Sequence, residues 1–225
     1  MIEGIDMYVT PLRAFVFALL MLPLTLLAET NAKTVSDLQH DWANANYELT
    51  GDKQDAAFEA LIERADAAVA SNPDSAELLI WNGIIKSSYA GVKGGLGALG
   101  LAKDARNSLE KALKLDDKAL DGSAYTSLGT LYSNVPGWPV GFGNDKKAVQ
   151  LLEKALEINP DGIDSNYFYA DYLLQHKEFD KAEKYLLKAQ SAPPRPDRPV
   201  ADAGRQEEIH AALSLARGKI QHSGS

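Results

Sequence analysis

The chain has 225 residues, of which 45% are hydrophobic and 24% charged, a composition that belongs to a folded protein and excludes wholesale disorder. Its net charge of -8 excludes the basic face that displaces counterions from a phosphate backbone, so no nucleic-acid partner is expected. With no cysteine, neither disulfides nor a lipid-bearing thiol can contribute.

At the N-terminus Arg13 precedes an apolar run, Ala14 to Leu27, that ends in Ala28-Glu-Thr-Asn-Ala32. This pattern predicts a secretory signal peptide over residues 1–32, with small residues before the cut. Glu3 and Asp6 are unusual ahead of such a run, and Met7 makes a cleaner start than Met1. The other reading is a retained anchor, but the run is shorter than the roughly 20 residues a span needs. An exported chain without cysteine fits the bacterial periplasm, with no stable membrane span after cleavage.

From Lys33 onward helical periodicity dominates, and no run of alternating β-branched residues bounded by turns appears, so the predicted class is all-α. The segments overlay on one another. Ala105-x3-Leu109-x2-Ala112 recurs as Ala148-x3-Leu152-x2-Ala155 and as Ala182-x3-Leu186-x2-Ala189, and Pro160 and Pro194 follow the last two five residues on. Each copy has an upstream partner helix, carrying Trp81-Asn82-Gly83, Leu128-Gly129-x2-Tyr132 and Tyr169-Ala170-x2-Leu173. Small residues at these places let the second helix approach the first, and proline ends it because it cannot donate and crowds the preceding turn.

Over residues 74–194 this pattern resembles the tetratricopeptide repeat (TPR) family, with a fainter copy at 42–73 closed by Ala68 and Pro73. The resemblance implies a right-handed superhelix of antiparallel helix pairs over 33–199, about four pairs, because one pair cannot bury its apolar face alone. The last repeat spaces Ala170 and Ala182 by twelve residues. Gly129 to Ala148 and Gly83 to Ala105 exceed that spacing by seven and ten, which predicts inserted glycine-rich loops at 91–100 and 135–143 that project from one edge of the array. Ala192 to Pro199 is too rich in proline for a helix and should be an extended strap, followed by a capping helix over 200–218 and a flexible tail over 219–225.

Candidate chemistry is sparse. Gly95-Leu-Gly97-Ala-Leu-Gly100 matches the dinucleotide fingerprint, but a helical segment rather than a strand precedes it, so no cofactor is expected. His40, His176, His210 and His222 lie at no metal-ligand spacing, which predicts no metal site. No nucleophile elbow is present, and Asp161 and Asp164 are placed as helix-terminal caps, so no enzyme activity is expected. Arg195, Arg198 and Arg205 alternate with Asp197 and Asp202, as surface ion pairs that fix the strap would; an anion site is the lesser reading.

Binding is the better expectation. Trp138 and Phe142 are large apolar groups in the 135–143 loop; they either staple it to the helices or wall a pocket for an apolar or aromatic ligand. Tyr132, Tyr167 and Tyr89 join them as candidate site residues. The TPR resemblance implies that the concave face carries Thr126, Thr130, Ser133 and Asn134 from one repeat, and Asp164, Tyr167, Asp171 and Leu174 from the next, with Ser87 and Ser88 extending the row. It also implies a protein or peptide partner, although the lysine and asparagine clamp with which some members grip a C-terminal carboxylate is absent at these positions. More weakly, the chain looks like the accessory T component of tripartite periplasmic (TRAP) transporters, which implies a ligand cleft roofed by the two loops. The expected function is therefore an exported TPR scaffold for protein or peptide binding, with a periplasmic small-molecule-binding accessory protein as the alternative.

Overall fold

In the computed structural model the described residues are 12–223, so the choice between Met1 and Met7, with Glu3 and Asp6, lies outside them. They form α1 (Leu12–Tyr47), α2 (Asp52–Ser71), α3 (Ala76–Lys93), α4 (Gly95–Leu115), α5 (Ala119–Asn134), α6 (Asp145–Ile158), α7 (Ile163–Gln175), α8 (Phe179–Gln190) and α9 (Pro199–Ser223), with no strand among the described residues. None of these helices is long and apolar enough to cross a membrane.

The alanine–leucine ladders are the spine. Ala105, Leu109 and Ala112 of α4, Ala148, Leu152 and Ala155 of α6, and Ala182, Leu186 and Ala189 of α8 are all fully buried. A Cβ built on Gly83 would lie 2.5 Å from Leu109 Cγ, and one on Gly129 2.6 Å from Leu152 Cγ. Each glycine in a first helix thus receives the leucine of its second helix, as the sequence pattern predicts. Polar ties add register: buried Asn82 donates to Asp66 Oδ1 at 2.6 Å and accepts from Ser108 at 2.7 Å, linking α2, α3 and α4. Ser75 caps α3 and Asn144 caps α6, each accepting from the backbone N–H three residues on.

Two expected insertions resolve differently. The ten surplus residues around 91–100 are helical, not a loop: α3 runs on to Lys93 and α4 starts at Gly95, so the first full pair is simply taller than α7 and α8. The glycines there permit the sharp reversal at Gly94, with φ of 61°, and the leucines and alanines that follow carry helix on from it. The 135–143 surplus is a loop, as expected. The strap also appears at 191–198, but the capping helix α9 continues to Ser223, so residues 219–223 are helical instead of a free tail. Its buried Ile209, Leu213 and Ala216 hold it against α7 and α8.

Odd-numbered helices form an inner layer and even-numbered ones an outer layer. Each inner helix touches the next, α1 to α3, α3 to α5, α5 to α7 and α7 to α9, and α9 then returns to α1. The array closes on itself. At that closure His40 Nε2 lies 2.8 Å from the Asp197 carbonyl, Tyr47 meets Glu208, and a Cβ on Gly204 would run into the Tyr47 ring.

Candidate functional site

The inner layer surrounds a cavity of about 840 Å³. α1 and α3 contribute Trp42, Trp81, Ile84, Ser87 and Ser88; α4 contributes Ala98, Leu99 and Ala102. α5 supplies a hydroxyl row, Ser123, Thr126, Ser127 and Thr130, with Leu131 and Asn134 beyond it. The far wall is Asp164 and Phe168 of α7, Arg195 and Arg198 of the strap, and Arg205 of α9. The space is apolar over much of its wall, with polar groups set along two sides, the usual make-up of a small-molecule site.

α5 reaches this position through an irregular start. Leu120, Asp121 and Gly122 lie in the left-handed region, with φ of 48°, 53° and 76°, before regular helix resumes at Ser123. Left-handed residues other than glycine are costly. Here they turn Leu120 and Asp121 into the cavity wall while Gly122 packs on Ile158.

The arginine wall is an ordered network. Arg205, 6% exposed, donates from Nε to Asp164 Oδ1 at 2.9 Å and from Nη1 to Glu208. Arg195 donates from Nη1 to the other Asp164 oxygen at 2.7 Å and from Nε to Asp202 at 2.7 Å. Burial alone would raise the Asp164 carboxyl, but Arg205 and Arg195 outweigh it and hold its pKa well below the ordinary value. Arg205 also lies over the Tyr167 and Phe168 rings, 4.4 and 4.5 Å from their centroids. Burial pushes the Tyr167 phenol up to about 12, although Arg205 pulls the other way.

The expected site residues divide. Thr126, Thr130 and Asn134 line the cavity, as do Ser87, Ser88 and Asp164. Asp171 and Ser133 lie beside it, tied through Gln175, which donates to Asp171 at 2.9 Å and to Asn134 at 3.0 Å and accepts from Ser133 at 3.1 Å. Tyr167 stands behind the wall under Arg205. Tyr132 and Tyr89 are packing groups rather than cavity walls: Tyr132 is buried with its hydroxyl on Glu110 at 3.0 Å, and Tyr89 stacks on Phe58 and donates to Glu59 at 3.0 Å. Phe142 meets the Tyr132 ring edge-on at 5.4 Å with Arg106 above it, which is the stapling role, and Trp138 is 90% exposed and walls nothing. Their loop still reaches the cavity, through Val135, Pro136 and Val140, where it meets Leu99 of α4. The two surplus segments therefore do share one edge. Trp42 and Arg198 are wall residues that the repeat pattern does not single out, and Trp81, marked there only as part of a helix pair, lines the cavity as well.

No group of metal-ligating side chains occurs among the described residues.

Comparison with known proteins accords with this geometry. Residues 143–214, which span α6 to α9, match the family model described as Tetratricopeptide repeat. Among solved structures the chain is similar to TTC0263, a thermophilic TPR protein in Thermus thermophilus, at 19% identity over 73% of this chain and 80% of that one, with a TM-score of 0.52. A structure of MamA aligns at 21% identity over 78% of this chain and 99% of its own, with a TM-score of 0.44. No curated protein matches. Residues 143–214 therefore carry the sequence pattern of the tetratricopeptide repeat family, and the chain as a whole has an all-α helix-pair fold similar to that of a TPR protein.

Proposed function

We propose that this scaffold is an exported binding protein that holds a small ligand inside its own ring of helices. One observation carries the reading: α9 returns to α1, so the groove that an open TPR array offers to a long peptide is here a cavity of about 840 Å³, within the range that small-molecule sites occupy. The mixed lining, which joins a hydroxyl row on α5 and the arginines of the strap to an apolar surface, suits one amphipathic molecule. The weaker resemblance to the TRAP transporter T component points the same way.

Export to the periplasm is part of the proposal. Arg13 and the apolar run support it, as does the burial pattern of α1, in which Glu29, Thr30, Ala32 and Lys33 are exposed and packing begins at Val35. A cut after Ala32 would leave Val35, Leu38, Trp42, Ala43 and Ala45 in place. A protein partner remains the second reading, favoured by Trp138 and Val140, 90% and 64% exposed on one loop at the cavity edge.

Native mass spectrometry of the protein isolated from periplasm tests both. A bound small molecule at one per chain, with an N-terminus near Lys33, is expected. A chain that is empty, or that arrives only with a stoichiometric protein partner, overturns the ligand reading.

A further inference from the structure

Among the three arginines on the cavity wall, two are spoken for. Arg195 and Arg205 share Asp164, and each pairs with a second carboxylate, Asp202 and Glu208 respectively. Arg198 is different: no salt bridge or side-chain hydrogen bond reaches it from any described residue, and its Nε is shut from solvent without a partner. Burial and the neighbouring Arg195 work against its charge, and Asp164, Asp202 and Asp197 offset them only in part. Its guanidinium lies 5.1 Å from the centroid of the Trp81 ring. Trp81 is 3% exposed, lines the same cavity, and its Nε1 also has no acceptor. Two adjacent buried donors without acceptors, one of them cationic, call for an explanation that packing does not provide.

We propose that Arg198, lying over the Trp81 ring, forms an anion subsite of the cavity, and that the ligand is an amphipathic monoanion, its acidic group held by the guanidinium. The inference rests on the reading that the cavity holds a ligand. Arg195 and Arg205 cannot serve equally, because the carboxylates that neutralise them would have to be displaced. The cavity lining also includes Ile84, Leu99 and Leu131, an apolar bed for the ligand's tail. A planar guanidinium suits a carboxylate or a sulfonate, and a neutral or cationic head in the same place would leave its charge unmet.

Titration calorimetry of the purified protein with decanoate, decyl sulfonate, decanol and decylammonium at neutral pH tests this, with tryptophan fluorescence as a second readout. Both anions are expected to bind, and decanol and decylammonium to bind at least about tenfold more weakly, the size of one charge-assisted contact. In Arg198→Leu the advantage of decanoate over decanol should vanish while decanol affinity stays within roughly twofold, and Arg198→Lys should recover part of it. Decanol binding as tightly as decanoate, or Arg198→Leu weakening both alike, overturns the anion subsite and leaves the cavity reading standing. Binding of none of the four probes overturns both. Circular dichroism of each variant separates loss of binding from loss of fold, and Arg198→Lys provides the reading if the leucine variant does not fold.

Discussion

Arg205 carries more of the structure than any surface charge. Removing it as Arg205→Ala leaves Asp164 and Glu208 half-buried without their main counter-ion and uncovers Tyr167 and Phe168, so a loss of about 3–5 kcal/mol in urea unfolding is expected. Asp164 sets the pH dependence. Its folded pKa lies below the unfolded value of 3.8, so its contribution is fully present above that value and is lost as the pH falls through and below it. In Asp164→Asn the acid side of the stability profile should flatten, and an unchanged slope below pH 4 would contradict the assignment. Trp138→Ala makes a contrast: at 90% exposure its effect should stay within about 0.5 kcal/mol.

At the level of elements, Gly83 and Gly129 are the tightest joints. An alanine at either would press on Leu109 or Leu152, and Gly129→Ala should cost about 1–3 kcal/mol by thermal or urea unfolding. These joints were legible in the sequence, because glycine, alanine and leucine at fixed spacing leave few other ways for two helices to pack. The fate of the surplus residues was not. A spacing excess says that residues have been added between two marks, and nothing in it distinguishes a loop from two taller helices; at 91–100 the glycines suggested the former, yet the Leu, Ala and Lys among them sustained helix. Likewise Tyr132 and Tyr89 stood among the candidate site residues, whereas their rings are consumed by packing and their hydroxyls by Glu110 and Glu59. The polar row Thr126, Thr130 and Asn134, which lines the cavity, was legible through the TPR resemblance, which assigns those helix positions to the concave face.

For the whole molecule, the repeat pattern speaks only of neighbours, and an array could remain open with its ends far apart. Closure comes mostly from residues outside the repeat pattern: Trp42 and Tyr47 near the end of α1, Arg198 over Trp81, the prolines of the strap, and Gly204, whose missing side chain admits the Tyr47 ring. In the sequence the strap and its arginines read as a local cap, with nothing to tie them to α1. Gly204→Val should push α9 from α1, weakening ligand retention while the fully buried ladders of α4, α6 and α8 persist, as hydrogen exchange can resolve. The most direct test of the closed ring is the distance between its ends. The chain has no cysteine, so nitroxides attached through Asn44→Cys and Glu207→Cys, both exposed, report on α1 and α9 alone. Pulsed dipolar spectroscopy should return one short, narrow distance set by two helices in contact; a broad distribution reaching across the width of the array would contradict closure, and with it the cavity.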